Sequence, residues 1–123
     1  MTEPATYKIN IYQGATYHRI FTWTAPDPDD PETQVPVDLT GATARLQVRK
    51  SFSSDIVLLE ATTEDGRITL GGPEGTIELV WPDEVTAAIG WRAGRYDLEI
   101  ESAGGEVTRL LQGAVKIYPE VTR

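Results

Sequence analysis

The feature that most constrains this chain is a two-residue alternation of apolar and polar side chains, repeated along most of its length and cut by glycine turns. Such a period places every second side chain on one face of an extended strand, so the apolar face is buried only by packing one sheet of strands on another. Tyr7, Ile9 and Ile11 alternate with Lys8, Asn10 and Tyr12. Gln13-Gly14-Ala15 reads as a tight turn, after which Tyr17, Arg19, Phe21 and Trp23 oppose Thr16, His18, Ile20 and Thr22. The clearest run sets Ala42, Ala44, Leu46 and Val48 against Thr43, Arg45, Gln47 and Arg49. Ile68/Leu70, Ile77/Leu79/Trp81, Tyr96/Leu98/Ile100 and a last segment from Val107 to Tyr118 follow. Ile56-Val57-Leu58-Leu59 is continuous instead of alternating, which suits a strand buried on both faces, although so short a run does not by itself separate strand from helix.

Turn chemistry separates these runs. Glu64-Asp65-Gly66, Gly71-Gly72-Pro73-Glu74-Gly75 and Ala103-Gly104-Gly105 supply the left-handed backbone positions that close hairpins. Gln112-Gly113 interrupts the final alternation and predicts a bulge or bend. One helix is expected, near 83–89, where Pro82 and acidic residues precede Val85-Thr86-Ala87-Ala88-Ile89 and Gly90 ends the pattern. The segment 25–36 holds Pro26, Pro28, Pro31 and Pro36 with Asp27, Asp29, Asp30 and Glu32. Proline removes ladder donors and clustered acids repel, so an exposed acidic, proline-rich loop between two strands is expected there. No internal repeat and no second core is evident, so residues 1–123 read as a single all-β domain.

Composition narrows the function. A chain of 123 residues buries about two-thirds of its unfolded surface, enough for a core without covalent staples. With no cysteine there is no disulfide, no thiolate nucleophile and no thiolate metal site. A formal charge of −8, from 11 basic and 19 acidic side chains, argues against a nucleic-acid partner. No apolar run approaches the roughly 20 residues of a membrane-spanning helix. Met1-Thr2-Glu3-Pro4 lacks the basic-then-apolar plan of a signal peptide, which points to cytoplasmic synthesis.

Catalytic chemistry finds little footing. His18, the one histidine, lies in a strand beside Ile20 and Thr22, and a structural or surface role is expected for it. Ser51, Ser53 and Ser54 have no Gly-x-Ser-x-Gly setting, and a Ser-His-Asp triad would need a chance assembly. Asp97, Glu99 and Glu101 share one strand face, where like charges disfavour one another unless Arg45, Arg49 or Arg109 answers them across strands. That pattern reads as a solvated outer face, not a glycosidase pair. Asp27 to Glu32 offers hard oxygen ligands for calcium but not the spacing of a calcium loop, and a solvated acidic loop is the favoured reading. Gly71, Gly72 and Gly75 close a hairpin and form no phosphate loop. Trp23, Trp81, Trp91 and the tyrosines invite a sugar-stacking platform, yet alternation assigns most of them to the core, leaving Trp91 and Tyr118 the freer pair. No catalytic, cofactor or metal-binding residue is therefore assigned.

Gly94-Arg95-Tyr96-Asp97-Leu98 resembles the tyrosine corner of immunoglobulin-like sandwiches, in which a tyrosine early in the penultimate strand sends its hydroxyl to backbone just upstream. Leu98 takes the place of the second cysteine of antibody domains. A plain buried strand tyrosine is the alternative, and either reading leaves an immunoglobulin-like antiparallel β-sandwich with one short helix.

A wider resemblance rests on Gln13-Gly14-Ala15-Thr16-Tyr17, the run Pro36-Val37-Asp38-Leu39-Thr40-Gly41-Ala42-Thr43-Ala44-Arg45-Leu46-Gln47-Val48-Arg49, and Asp65-Gly66-Arg67-Ile68-Thr69-Leu70. Gly75-Thr76-Ile77-Glu78-Leu79, Tyr96-Asp97-Leu98-Glu99-Ile100, Arg109-Leu110-Leu111-Gln112-Gly113-Ala114-Val115-Lys116-Ile117 and the closing Pro119-Glu120-Val121-Thr122-Arg123 complete it. Taken in order, these segments resemble small β-sandwich virion proteins of tailed bacteriophages that attach tail fibres or form a collar or baseplate adaptor. The resemblance implies a non-enzymatic structural protein located in the virion, with other virion proteins (tail, fibre or capsid) and further copies of itself as partners, and without cofactor, nucleic acid or membrane. It transfers no catalytic residue. A capsid decoration protein, or a stand-alone sugar- or protein-binding module using Trp91 and the acidic loop, are the alternatives. Ile117-Tyr118-Pro119-Glu120-Val121-Thr122-Arg123 leaves its strand at Pro119 and is expected to act as a docking tail.

Overall fold

The alternation becomes strand almost wherever it occurs. The computed structural model describes residues 3–122. In chain order the strands are β1 (Ala5–Thr6), β2 (Ile9–Tyr12), β3 (Tyr17–Thr22), β4 (Thr24–Asp27), β5 (Asp30–Pro36), β6 (Thr43–Arg49), β7 (Val57–Thr62), β8 (Ile68–Leu70), β9 (Thr76–Trp81), β10 (Ala93–Glu101) and β11 (Val107–Tyr118). One helical turn, α1 (Asp83–Ala87), lies between β9 and β10 inside the expected 83–89 span. Pro82 precedes it with extended backbone, and Ala88, not Gly90, caps its end in a right-handed conformation.

Two sheets enclose the core. The larger has the order β1-β11-β10-β6-β7, with β2 also pairing β11, and the smaller has the order β3-β9-β8. The chain crosses between them after β2, after β3 by way of the β4–β5 hairpin, after β7 and after β9. This layout of three strands against six, with a helical turn before the penultimate strand, is that of an immunoglobulin-like sandwich. Pairing is antiparallel except for β1 and β2, which both run parallel to β11. Inward residues of both sheets form one cluster: Leu46 and Val48 of β6, Leu98 and Ile100 of β10, and Val115 and Ile117 of β11 meet Tyr17, Ile77, Leu79 and Trp81. One buried polar group bridges the two sheets, whereas the Asn10 side-chain oxygen and the Tyr17 hydroxyl are buried without a hydrogen-bond partner among the described residues. The Trp81 indole donates to the Glu60 carbonyl at 3.1 Å, tying β9 to β7.

Five expectations are corrected. Residues 25–36 are not a loop: β4 and β5 form a hairpin, paired Thr24 to Pro36, Ala25 to Val35 and Pro26 to Gln34. It is a separate two-stranded sheet, so its outer edges need no donors and prolines are tolerated on them. Its acids cap local backbone: Asp27 accepts from Asp29 N–H at 3.0 Å, and Asp30 from Glu32 N–H at 3.3 Å and the Thr33 hydroxyl at 2.7 Å. Second, Glu64-Asp65-Gly66 closes no hairpin, because β7 and β8 belong to different sheets and this turn carries the chain between them. Third, Ile56–Leu59 is not buried on both faces: β7 is an edge strand, and Ile56 and Val57 are 69% and 39% exposed. Fourth, the bulge in β11 is not at Gln112-Gly113. Leu98 pairs with Leu111 and Glu99 with Arg109, so Leu110 is the extra residue. Gly113 serves close approach instead, since a Cβ there would lie 2.5 Å from the Tyr7 carbonyl oxygen.

The fifth correction concerns Tyr96. Its ring is buried in the core and its hydroxyl donates to the Tyr7 carbonyl at 2.6 Å. The acceptor lies 89 residues away at the start of the chain, not just upstream. The buried-strand-tyrosine alternative is therefore the one realised, and the bond pins the N-terminal segment to β10.

Candidate functional site

The outer face of the larger sheet gathers more polar chemistry than any other part of the described residues. Alternation turns Arg45, Gln47 and Arg49 of β6 outward beside Arg95, Asp97, Glu99 and Glu101 of β10. Antiparallel register puts Arg45 opposite Glu99, Gln47 opposite Asp97, Arg49 opposite Arg95 and Thr43 opposite Glu101. Arg45 pairs with Glu99 and Arg109 with Asp97, each at 3.5 Å. These are the cross-strand answers expected, given to Glu99 and Asp97 but not to Glu101, which lies opposite Thr43; at such exposure each is worth about 0–1 kcal/mol. Burial pushes the Asp97 carboxyl above its ordinary value, with the Arg109 guanidinium acting in the opposite direction.

Arg49 departs from the expectation. Its guanidinium donates to the Gln47 side-chain oxygen at 2.9 Å and to the Ser54 carbonyl at 2.7 Å, both neutral acceptors. Arg95, exposed at the start of β10, forms no ion pair among the described residues. The two arginines thus sit opposite each other in register on neighbouring strands, a pairing of like charges that is unfavourable without an anion between them. They line a shallow pocket of about 210 Å³ together with Ser51, Phe52 and Asp97. Phe52, 63% exposed, is its apolar side, and Glu99 also lines it. A larger pocket of about 440 Å³ lies at the other end of the same face, among Arg45, Glu60, Glu64, Glu99 and Glu101.

Charge is divided between the two ends of the sandwich. Segments 24–42, 71–76 and 101–107 meet at one end: Leu39 N–H donates to the Gly72 carbonyl at 2.8 Å and Trp23 N–H to the Gly75 carbonyl at 2.9 Å. They hold Asp27, Asp29, Asp30, Glu32 and Asp38, then Glu74, then Glu101 and Glu106, and no basic residue. Those eight carboxylates equal the whole formal excess of −8. The opposite end carries Arg49, Lys50, Arg92, Arg95 and Lys116, with Asp55, Asp83, Glu84 and Glu120 among them.

The remaining candidates are dispersed. His18 Nε2 contacts Glu78 Oε2 at 2.6 Å on the exposed face of the smaller sheet, while Ser51 and Ser53 bond each other at 3.3 Å beside the larger one. Among the described residues no three His, Asp or Glu side chains converge as metal ligands, and no helix is long and apolar enough to cross a membrane. Trp91 packs partly buried against the core. Tyr118 stacks on Tyr12 at 4.8 Å, with the Lys116 ammonium 4.8 Å from its ring centre. The C-terminal segment is tied down as far as Glu120, whose N–H donates to the Gln13 side chain at 3.1 Å; beyond it Val121 is exposed, and the Arg123 end of the expected tail lies outside the described residues. Sequence reading missed the opposed arginines, although outward alternation of Arg95 was visible; only register sets it against Arg49.

No protein family model matches the chain, and no curated protein matches it. It is similar to solved structures of weak likeness. A structure described by cell-adhesive interactions of VGSC beta subunits has a TM-score of 0.46 and 12% identity, covering 96% of this chain and 96% of that one. The ZIG-8–RIG-5 IG1–IG1 heterodimer gives 0.44 and 14%, over 96% of this chain and 87% of that one. The extracellular domain of the voltage-gated sodium channel beta4 subunit gives 0.38 and 11%, over 100% and 93%.

Proposed function

We propose that this chain is a non-enzymatic structural protein of a tailed-bacteriophage particle, an adaptor that attaches tail fibres or forms a collar or baseplate ring. The observation that carries the reading is the gathering of acidic side chains at one end of the sandwich, where the separate hairpin β4–β5 lies, while the other end mixes bases with acids. A small part with unlike ends is suited to a heterologous contact that repeats around an axis. The segments that resemble phage virion proteins supply β6, β8, β9, β10 and β11, the frame on which those ends are mounted. The side chains able to do acid–base or nucleophilic work are scattered over separate faces, which favours a binding role over a catalytic one. The alternative of a stand-alone sugar-binding module has less support, because Trp91 spends much of its ring on the core.

Quantitative mass spectrometry of purified particles tests the reading. The expected result is a fixed integer stoichiometry with tail or baseplate proteins, and density at the neck or baseplate in a particle map. Density on the capsid surface would assign a decoration role instead, and absence from particles would reject the virion reading.

A further inference from the structure

We propose that the pocket at Arg49 and Arg95 is the docking site for the β4–β5 hairpin of a second copy of this chain, giving a head-to-tail contact. The proposal does not depend on the virion reading.

Three observations converge on it. The pocket is lined by Arg49 and Arg95, neither of which forms an ion pair among the described residues, with Asp97 and Glu99 also in its lining and the exposed Phe52 beside them. A bidentate carboxylate between the arginines removes their mutual repulsion and adds charge-assisted hydrogen bonds. The hairpin tip, Pro28-Asp29-Asp30-Pro31-Glu32, is exposed throughout and consists of acids and prolines alone. Carboxylates for the arginines and proline rings for the apolar rim are thus offered by one narrow ribbon. Asp29 and Glu32 make no side-chain hydrogen bond within the described residues, whereas Asp27 and Asp30 are engaged in capping their own turn. Asp29 and Glu32 are therefore the pair free to reach outward.

Geometry requires a second molecule. The hairpin leaves the sandwich at the start of β6 and the arginines lie at its end, seven residues or about 20 Å further along. The tip is exposed and its hydrogen bonds stay within the hairpin, so it does not reach the pocket of its own chain. A contact between unlike patches of identical chains leaves one tip and one pocket free on every pair, and so propagates to a closed ring or an open filament.

Sedimentation velocity over a concentration series, at about 0.02 M and about 0.5 M salt, reads the contact. Wild-type protein is expected to associate at low salt and to weaken at least about tenfold at high salt. Arg95→Glu alone and Asp29→Lys/Glu32→Lys alone are each expected to be monomeric at concentrations where the wild type associates. An equimolar mixture of the two is expected to associate again, because each acidic pocket now meets a basic tip and each native pocket a native tip. Circular dichroism checks that both variants keep the fold, as their exposed positions require. A wild type that stays monomeric throughout the series would overturn the proposal, as would association that survives both substitutions or is not recovered on mixing.

Discussion

Removal of one hydroxyl, in Tyr96→Phe, tests how the N-terminal segment is held. Tyr96 is 1% exposed and donates to the Tyr7 carbonyl at 2.6 Å. Tyr7 lies outside the paired residues of β1 and β2, and that phenol is the one donor its carbonyl has among the described groups. Phenylalanine fills the same ring volume, so no cavity offsets or adds to the effect. What remains is a buried carbonyl without a partner, which costs about 1–3 kcal/mol. An unfolding entropy of about 2.1 cal/mol/K per residue over 123 residues gives about 0.26 kcal/mol per kelvin. A central loss of about 2 kcal/mol therefore lowers Tm by about 8 °C. Differential scanning calorimetry measures this, and hydrogen exchange locates it: the Tyr7 amide, bonded to the Gln112 carbonyl at 3.0 Å, should lose protection before the strands of the smaller sheet do. Tyr12→Phe is the control, since Tyr12 is 59% exposed and its change should stay within about 0.5 kcal/mol. A Tm within about 1 °C of wild type, or an equal fall in the control, would refute the reasoning.

Other outcomes follow from the same packing. Gly113→Ala places a methyl 2.5 Å from the Tyr7 oxygen, against backbone that cannot swing aside as a side chain would; it should destabilise by about 1–3 kcal/mol and free β1 from β11, read by calorimetry and amide exchange. Leu98→Ala, in the centre of the core, should cost about 2–5 kcal/mol in a urea titration. Burial raises the phenol groups of both Tyr17 and Tyr96 well above their ordinary value of 10.0. Above that pH the unfolded chain gives up protons that the folded chain keeps, so stability is intact below about pH 10 and falls as the pH rises further; a denaturation series from pH 8 to 11 should show the loss, reduced in Tyr96→Phe. Deleting residues 27–30 and closing the hairpin with Asn-Gly should leave Tm within a few degrees, because this sheet pairs only with itself.

How far the sequence reaches is clearest from particular elements. Ala44, Leu46 and Val48 face inward because a strand's side-chain period is local, and the same rule places Ile77, Leu79 and Trp81 of β9 correctly. It also turns Arg45, Glu99 and Asp97 outward, where charge of both signs made their pairing legible. The hairpin at 24–36 was hidden because proline content speaks against a ladder in general, whereas here the ladder has free outer edges on both strands. The Ile56–Leu59 run was misjudged because hydrophobicity alone does not distinguish a doubly buried strand from an apolar edge.

By itself, then, the sequence determined, outside the β4–β5 hairpin and β7, where the chain is extended and which face of a strand is apolar, since both depend on residues a few positions apart. The tertiary structure alone decided which strands share a sheet, sent β7 and β8 to opposite sides, and carried the Tyr96 hydroxyl to a carbonyl 89 residues away. It also set Arg95 against Arg49 and gathered eight carboxylates at one end. Those are consequences of register and of long-range pairing, in which each contact depends on every strand between, and no local period encodes them.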